Sequence, residues 1–297
     1  LIVYYRDSNT AAYYRKEQPS PSAKNSPEAD SILQDIFTFY ELPDSVPRLP
    51  DGRLDWTHQG PDEDIEWAWG LNRHSHLITL LDAWFETGNP AYASAIDTHV
   101  QDWVIGSLPY PRVKSSTAQW RGLEVALRAK VWVRVFFALV NSGHLSPATQ
   151  ILMLSSLPEH VHYMRNFHAK AGNWLTMEMS GLAMVATAWP ELRHAREWVM
   201  YTKGNMLEGL RDQVYPDGVQ TEVSTKTQWV ALRRFESVAE YFLKSGRQIP
   251  DDYIQRLQEM YNYLAYAMRP DGHQPLNNDS DREDLRPRVL AAAKKFN

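Results

Sequence analysis

Helical periodicity is the feature that most constrains this chain. Nearly every long segment repeats its apolar residues every three or four positions, and none alternates strictly as a half-buried strand would. From Leu71 to Thr87, Leu77, Leu80, Leu81 and Trp84 share one face, and the segment stops at Gly88-Asn89-Pro90, a C-cap followed by a breaker. The next helix is expected over Ala91 to Ile105. Further stripes run over Gln119 to Val140, Pro147 to Phe167, Trp174 to Trp189, Leu192 to Leu210, Val223 to Leu243 and Asp252 to Met268. The connectors Ser142-Gly143-His144, Trp189-Pro190 and Lys244-Ser245-Gly246 are short, which makes successive helices antiparallel neighbours.

Two stretches break the rhythm. Gln18 to Pro27 is rich in Pro and Ser, and Leu42 to Pro61 holds four prolines and two glycines, so both are expected to be extended loops. The tripeptides Pro50-Asp51-Gly52, Pro216-Asp217-Gly218 and Pro270-Asp271-Gly272 form an internal echo, each a turn with Pro setting the first torsion and Gly supplying a positive φ. About eight to ten helices in antiparallel pairs, with no sheet, fit an all-α (α/α) toroid or a helical solenoid. The absence of a repeat of fixed length argues against the solenoid. The expectation is therefore one toroid domain over residues 1–297, with a loop-rich segment over about 1–61.

A net charge of -5 gives no whole-chain support for binding nucleic acid or an anionic membrane, and no apolar run reaches the roughly 20 residues needed to span a bilayer. Leu1 to Tyr5 is too short for a signal-peptide core and lacks a basic leader. With no cysteine, any chemistry falls to carboxylates, histidines, tyrosines, lysines and amides. The 11 Trp and 15 Tyr suit stacking on sugar rings as well as core packing.

Among the candidate residues, His74 and His76 sit two apart, so on one helix they point roughly 200° away from each other and only one faces a cleft unless the helix starts between them. They make no zinc site, because no third ligand stands at ordinary spacing. Arg73, Arg121 and Arg128 are suited to bidentate contacts with carboxylate or sulfate, and Arg121 and Arg128 share a helix face with Glu124, which makes an internal ion-pair network the competing reading. Asp279-Ser280-Asp281 lacks the Gly and Glu of a calcium loop and reads as a polar turn capping the next helix.

Leu71-Asn72-Arg73-His74-Ser75-His76, Gly172-Asn173-Trp174 with Glu178, Asp217-Gly218-Val219-Gln220-Thr221-Glu222-Val223-Ser224 and, more weakly, Trp120-Arg121-Gly122-Leu123-Glu124 with Arg128 together resemble the helical domain of the heparinase II/III family of polysaccharide lyases. The resemblance implies β-elimination at a uronic acid of an anionic polysaccharide, with no redox cofactor, and a periplasmic or secreted setting. In that chemistry an amide neutralises the uronate carboxylate, a base removes the carbon-5 proton and an acid protonates the leaving oxygen. By the resemblance Asn173 takes the amide's place, and Arg73, His74, Trp120, Arg121, Trp174, Glu178, Glu222 and Gln228 are candidates for holding substrate. Asn173 also reads as a plain N-cap.

The sequence departs from the family where it delivers a Tyr followed by a His, for those positions read Thr227 and Gln228. Three outcomes stay open: a domain that binds glycan without cleaving it, a base supplied by Lys226 if desolvation lowers its pKa, or replacement by Tyr215 or by His74 or His76. A glycoside hydrolase using two carboxylates from Glu178, Asp217 and Glu222 is a further alternative. The β-rich domain that follows the toroid in the family, and adds a further His, is expected to be missing from this chain.

Overall fold

The computed structural model describes residues 26–296, without the side chain at 296. The readings made on Leu1 to Tyr5 and on the loop from residue 18 to 25 lie outside the described residues. The chain divides into two compact units, Leu1–His168 and Ala169–Asn297.

The described part of the first unit opens with a short helix α1 (Pro27–Ile32) and a hairpin of β1 (Ile36–Phe39) and β2 (Leu42–Ser45). The hairpin corrects the expectation of a chain without any sheet and of an extended loop from Leu42. Its two turn residues, Tyr40 and Glu41, both have positive φ, 54° and 66°, the backbone that a two-residue hairpin loop demands but that their side chains do not advertise. Five longer helices follow: α2 (Ile65–Asn72), α3 (His76–Thr87), α4 (Pro90–Gly106), α5 (Gly122–Leu139) and α6 (Pro147–Phe167). A 3-10 turn over Ala118–Trp120 leads into α5.

Predicted boundaries hold where the caps are strong. Gly88 closes α3 with φ 70°, Asn89 caps α4 through Ala91 N–H, and Ser146 caps α6 through Thr149 N–H. The stripe beginning at Leu71 spans two helices instead of one. The chain breaks at His74, whose φ is 61°, and α3 starts at His76. Core formation decides this unit: Trp132, Val133, Phe136 and Phe137 of α5 are all fully buried, each such side chain being worth about 1.5–3 kcal/mol.

The second unit holds α7 (Gly172–Ala188), α8 (Ala195–Gln213), α9 (Thr225–Lys244), α10 (Asp251–Ala267) and α11 (Arg286–Phe296). Helix α7 is central, with α8 and α9 packed on it. Its run of Ser180, Gly181, Ala183, Ala186 and Ala188, all buried, keeps side chains short where two helices approach it. Among the described residues no helix is long and apolar enough to cross a membrane.

The three Pro-Asp-Gly turns share one local structure. In each, the Gly N–H donates to the residue before Pro, and the residue after Gly donates its N–H to the Asp carboxylate. Gly52, Gly218 and Gly272 adopt φ of 85°, 87° and 85°. At Gly218 a Cβ would stand 2.2 Å from the Glu259 carbonyl oxygen, so this turn requires glycine for space as well as for torsion.

Val223 carries strain of the same backbone kind. Its φ is 53°, unusual for a β-branched residue, and its carbonyl oxygen accepts the side-chain amides of Asn277 at 2.7 Å and Asn278 at 3.0 Å. Replacing Val223 with Gly should stabilise the protein by about 1 kcal/mol, since the left-handed conformation costs roughly 1–2 kcal/mol and glycine gives part of that back as chain entropy. Urea unfolding checks the sign, and a loss of stability would show that the turn is not strained.

Candidate functional site

In the first unit, sequence-predicted residues form two groups. Arg73 and Arg121 converge on Glu124, whose side chain is wholly buried: Arg73 Nη2 donates to Oε1 at 2.9 Å and Arg121 Nη1 lies at 3.5 Å from the same oxygen. Arg73 Nη1 also donates to the Tyr40 hydroxyl at 2.8 Å, and the Arg121 guanidinium stacks 3.5 Å over Trp69. Their side chains keep 25% and 19% exposure, so two partly exposed cations share one buried carboxylate. Tyr40 and Trp69 were missed by the sequence reading, since nothing local to the hairpin or to α2 ties them to Arg73 and Arg121.

The second group is a sealed core. The break at His74 lets both histidines point inward, with their ring centroids 5.4 Å apart, the case in which a helix starts between them. They are 0% and 4% exposed, and burial pushes both imidazoles well below the usual histidine range. His74 and His76 therefore stand in the core rather than on a cleft wall, which corrects their assignment as substrate-binding and catalytic residues. Trp120 is corrected for the same reason: it is 4% exposed and packed among Tyr110, His160 and Tyr163, leaving no face for a sugar.

Arg128 lies fully buried beside them. Its guanidinium stacks 3.8 Å over Trp103, and Nη1 donates to the Asn72 carbonyl at 2.8 Å. Burial lowers its pKa to about 9, while Glu124 and Tyr110 oppose the shift, so it stays charged at neutral pH. The internal network weighed against substrate binding is thus present here, centred on Glu124.

In the second unit, Asn173 is the second residue of α7, and Ala171 is the N-cap, which corrects the reading of Asn173 as the cap itself. Its side-chain amide has no hydrogen-bond partner among the described residues, and it is partly exposed at a helix N-terminus, where free N–H groups favour an anion. Gly172 precedes it with φ 76° and turns the chain into the helix. Glu178 is buried one turn on, and its Oε2 accepts the Ala169 N–H at 2.7 Å, fastening the strand of chain that leads to Asn173. That places Glu178 in support of the turn instead of on a substrate. Trp174 is 47% exposed.

The motif after Asp217 is built as a clamp. Gln228 is 1% exposed; its Oε1 accepts the Gln220 N–H at 2.7 Å, and its Nε2 donates to the carbonyls of Gly218 at 2.9 Å and Met260 at 3.2 Å. Both ends of the amide are engaged by backbone, which places Gln228 in the turn's own hydrogen bonding instead of facing a substrate. Thr227 is buried beside it. Lys226 is exposed and paired with Asp281, whose hydrogen bond and charge raise its pKa. A lysine base needs the opposite shift, so the pairing with Asp281 works against that role for Lys226. Asp279 and Asp281 belong to a polar turn, in which Ser280 bonds to Ser224 and Thr225 at the start of α9. Glu222 is exposed, and Tyr215, 51% exposed, stands at the foot of the Pro216-Asp217-Gly218 turn.

Among the described residues no group of three or more His, Asp or Glu is arranged to hold a metal ion.

The comparisons agree with this architecture. The model of the heparinase II/III N-terminus family matches residues 1–296. The chain is 23% identical to the heparin-sulfate lyase of Pedobacter heparinus over 289 residues, spanning 94% of this chain and 44% of that protein. Among solved structures, a heparinase III superposes with a TM-score of 0.86 at 21% identity, covering 99% of this chain and 48% of that one. Heparan sulfate lyase HepC from Pedobacter heparinus does so with a TM-score of 0.77 at 23% identity, over 99% and 48%. The chain spans about half the length of the relatives it matches, and the likeness bears out the all-α (α/α) toroid class. From the family model that runs through both units, the chain belongs to the heparinase II/III N-terminus family of polysaccharide lyases.

Proposed function

We propose that this chain is the uronate-binding helical part of a polysaccharide lyase, in which Asn173 neutralises the carboxylate of a uronic acid in an anionic polysaccharide, of glycosaminoglycan type. The observation that carries the reading is the amide of Asn173, partly exposed and without a partner among the described residues at the N-terminus of a 17-residue helix. A carboxylate there gains the amide, free backbone N–H groups and the favourable end of the helix dipole, which together stabilise the negative charge that builds up when the carbon-5 proton leaves. Trp174 stands exposed next to it, and in the other unit the partly exposed Arg73 guanidinium is of the kind that binds carboxylate or sulfate.

Elimination also requires a base for the carbon-5 proton and an acid for the leaving oxygen, after which the carbon 4 to oxygen bond breaks and a carbon 4 to carbon 5 double bond forms. Of the phenol and amine candidates in the motif, both exposed, Lys226 is paired with Asp281, whereas the part of Tyr215 in the turn is played by its backbone. Asn173→Ala should lower the rate of unsaturated-uronate formation about 10²–10³-fold with unchanged thermal unfolding, the usual effect of removing one oxyanion-type donor. Ultraviolet absorbance of the unsaturated product over a panel of uronate polysaccharides is the measurement. Tyr215→Phe tests the proton-transfer role.

The second reading, a toroid that binds glycan without cleaving it, is favoured by Thr227 and by the engaged amide of Gln228 at the positions where the resemblance places Tyr and His. It is the conclusion if the wild-type protein binds a uronate glycan, loses that binding in Asn173→Ala and never forms product. The hydrolase reading is weakened because Glu178 already holds Ala169 and Asp217 holds its own turn.

A further inference from the structure

Four imidazoles, His74, His76, His99 and His160, lie in the core of the first unit, none more than 4% exposed. They come from the α2–α3 turn, α3, α4 and α6, and they form one connected array. Centroid distances are 5.4 Å for His99 to His76 and 5.4 Å for His76 to His74. Trp103 bridges His74 at 5.4 Å to His160 at 5.6 Å, and Trp132 lies 5.0 Å from His160. The second unit has no buried histidine among its described residues.

The hydrogen bonds make this array intolerant of protons. Trp132 Nε1–H donates to His74 Nδ1 at 3.0 Å. Arg128 Nε–H donates to His160 Nε2 at 3.0 Å, and His160 Nδ1 faces the Ser156 carbonyl at 2.9 Å. Indole and guanidinium groups only donate, so a proton added at either accepting nitrogen turns a hydrogen bond into two opposed donors, at His160 against a cation. Neither ring nitrogen of His76 has a partner among the described residues. The charged groups that act on the array offer little compensation. Arg128 acts on His74 and His160, Arg48 and Asp35 act on His99, and the Asp35 carboxylate is already held by Arg48. Asp102 is engaged by Leu54 N–H and the Trp56 indole, while Glu124 and Tyr110 act on Arg128.

We propose that the first unit carries an acid-operated release: as pH falls below about 6, where free histidines charge, joint proton uptake by these four side chains opens its core and frees the turn Asn72–Ser75, while the second unit stays folded. The turn is the natural point of release because the array anchors it. Arg128 holds the Asn72 carbonyl, Trp103 Nε1 donates to Asn72 Oδ1 at 2.9 Å, and Asn72 Nδ2 donates to the Trp56 carbonyl at 2.8 Å. Burial depresses all four imidazoles, His99 to about 4, so the unfolded chain binds more protons than the folded one below 6.5. The stabilisation is complete above 6.5 and is lost as pH falls. The proposal is independent of what the protein acts on.

Hydrogen exchange of the full chain, read by mass spectrometry from neutral pH down to about pH 4.5 and corrected for intrinsic rates, tests it alongside tryptophan fluorescence. The expected result is a reversible transition with uptake of more than two protons, in which peptides of 53–160 lose protection and those of 195–267 keep it. Equal loss in both units, or no transition in that range, overturns the proposal. In His76→Phe, which keeps an aromatic ring and breaks no hydrogen bond among the described residues, the transition should move to lower pH and take up one proton fewer. An unchanged proton count overturns it too. If that variant does not fold at neutral pH, the exchange map of the wild-type chain decides.

Discussion

Glu124→Ala should destabilise the first unit by about 3–5 kcal/mol, the usual cost of breaking a buried ion pair from one side. The carboxylate is wholly buried, takes Arg73 and Arg121 on one oxygen, and is the foremost opposing charge acting on the fully buried Arg128. Arg73 and Arg121 are partly exposed and would recover solvation on losing it. Arg128 would not, and its uncompensated charge is the larger part of the expected loss. Urea unfolding of Glu124→Ala beside Glu124→Leu/Arg128→Met separates these contributions. The double variant should regain much of the stability, because removing both charges leaves no orphan. A double variant as unstable as the single one would show that Arg128 is held by its stacking on Trp103 and its bond to Asn72, with no need of Glu124. Either way, Arg73 freed from Glu124 becomes the sharper probe of polyanion binding.

Gln228→Leu should cost the second unit about 2–4 kcal/mol, since it leaves the Gln220 N–H and the Gly218 carbonyl unpaired in the interior, each at roughly 1–3 kcal/mol before relaxation, and removes the bond to the Met260 carbonyl, which keeps its place in the α10 ladder. The loss should be smaller in Gln228→His, because an imidazole offers one donor and one acceptor. Differential scanning calorimetry of both variants checks the order, and equal losses would mean that the clamp acts through packing. The position where the resemblance places a histidine is occupied by a side chain that ties the Pro216-Asp217-Gly218 turn to α9 and α10, so installing Thr227→Tyr/Gln228→His has a structural cost whatever it does for chemistry.

How much of this was legible beforehand depends on whether the signal was local. Apolar spacing, with the Gly88 C-cap and the breaker after it, announced helices within about three residues of where they lie, because helix formation and capping are set by neighbours in the chain. The three Pro-Asp-Gly turns were legible for the same reason, each closing within five residues. The family's motifs also point at Asn173, whose place after Gly172 and at a helix start is written in consecutive residues.

What could not be read was which side chains face inward at the breaks between elements and who meets whom across them. Nothing near His74 says that its backbone turns left-handed and puts two imidazoles in one core, because that conformation is stabilised by Trp56, Trp103 and Trp132 from distant segments. Nothing in Lys226-Thr227-Gln228 says that the lysine is exposed and paired with Asp281, 55 residues away, or that the glutamine is spent on Met260. The sequence by itself determined the helices, their caps and the turn that presents Asn173. Only the tertiary structure decided which of the polar candidates remain available, because burial and hydrogen-bond saturation are properties of the assembled core.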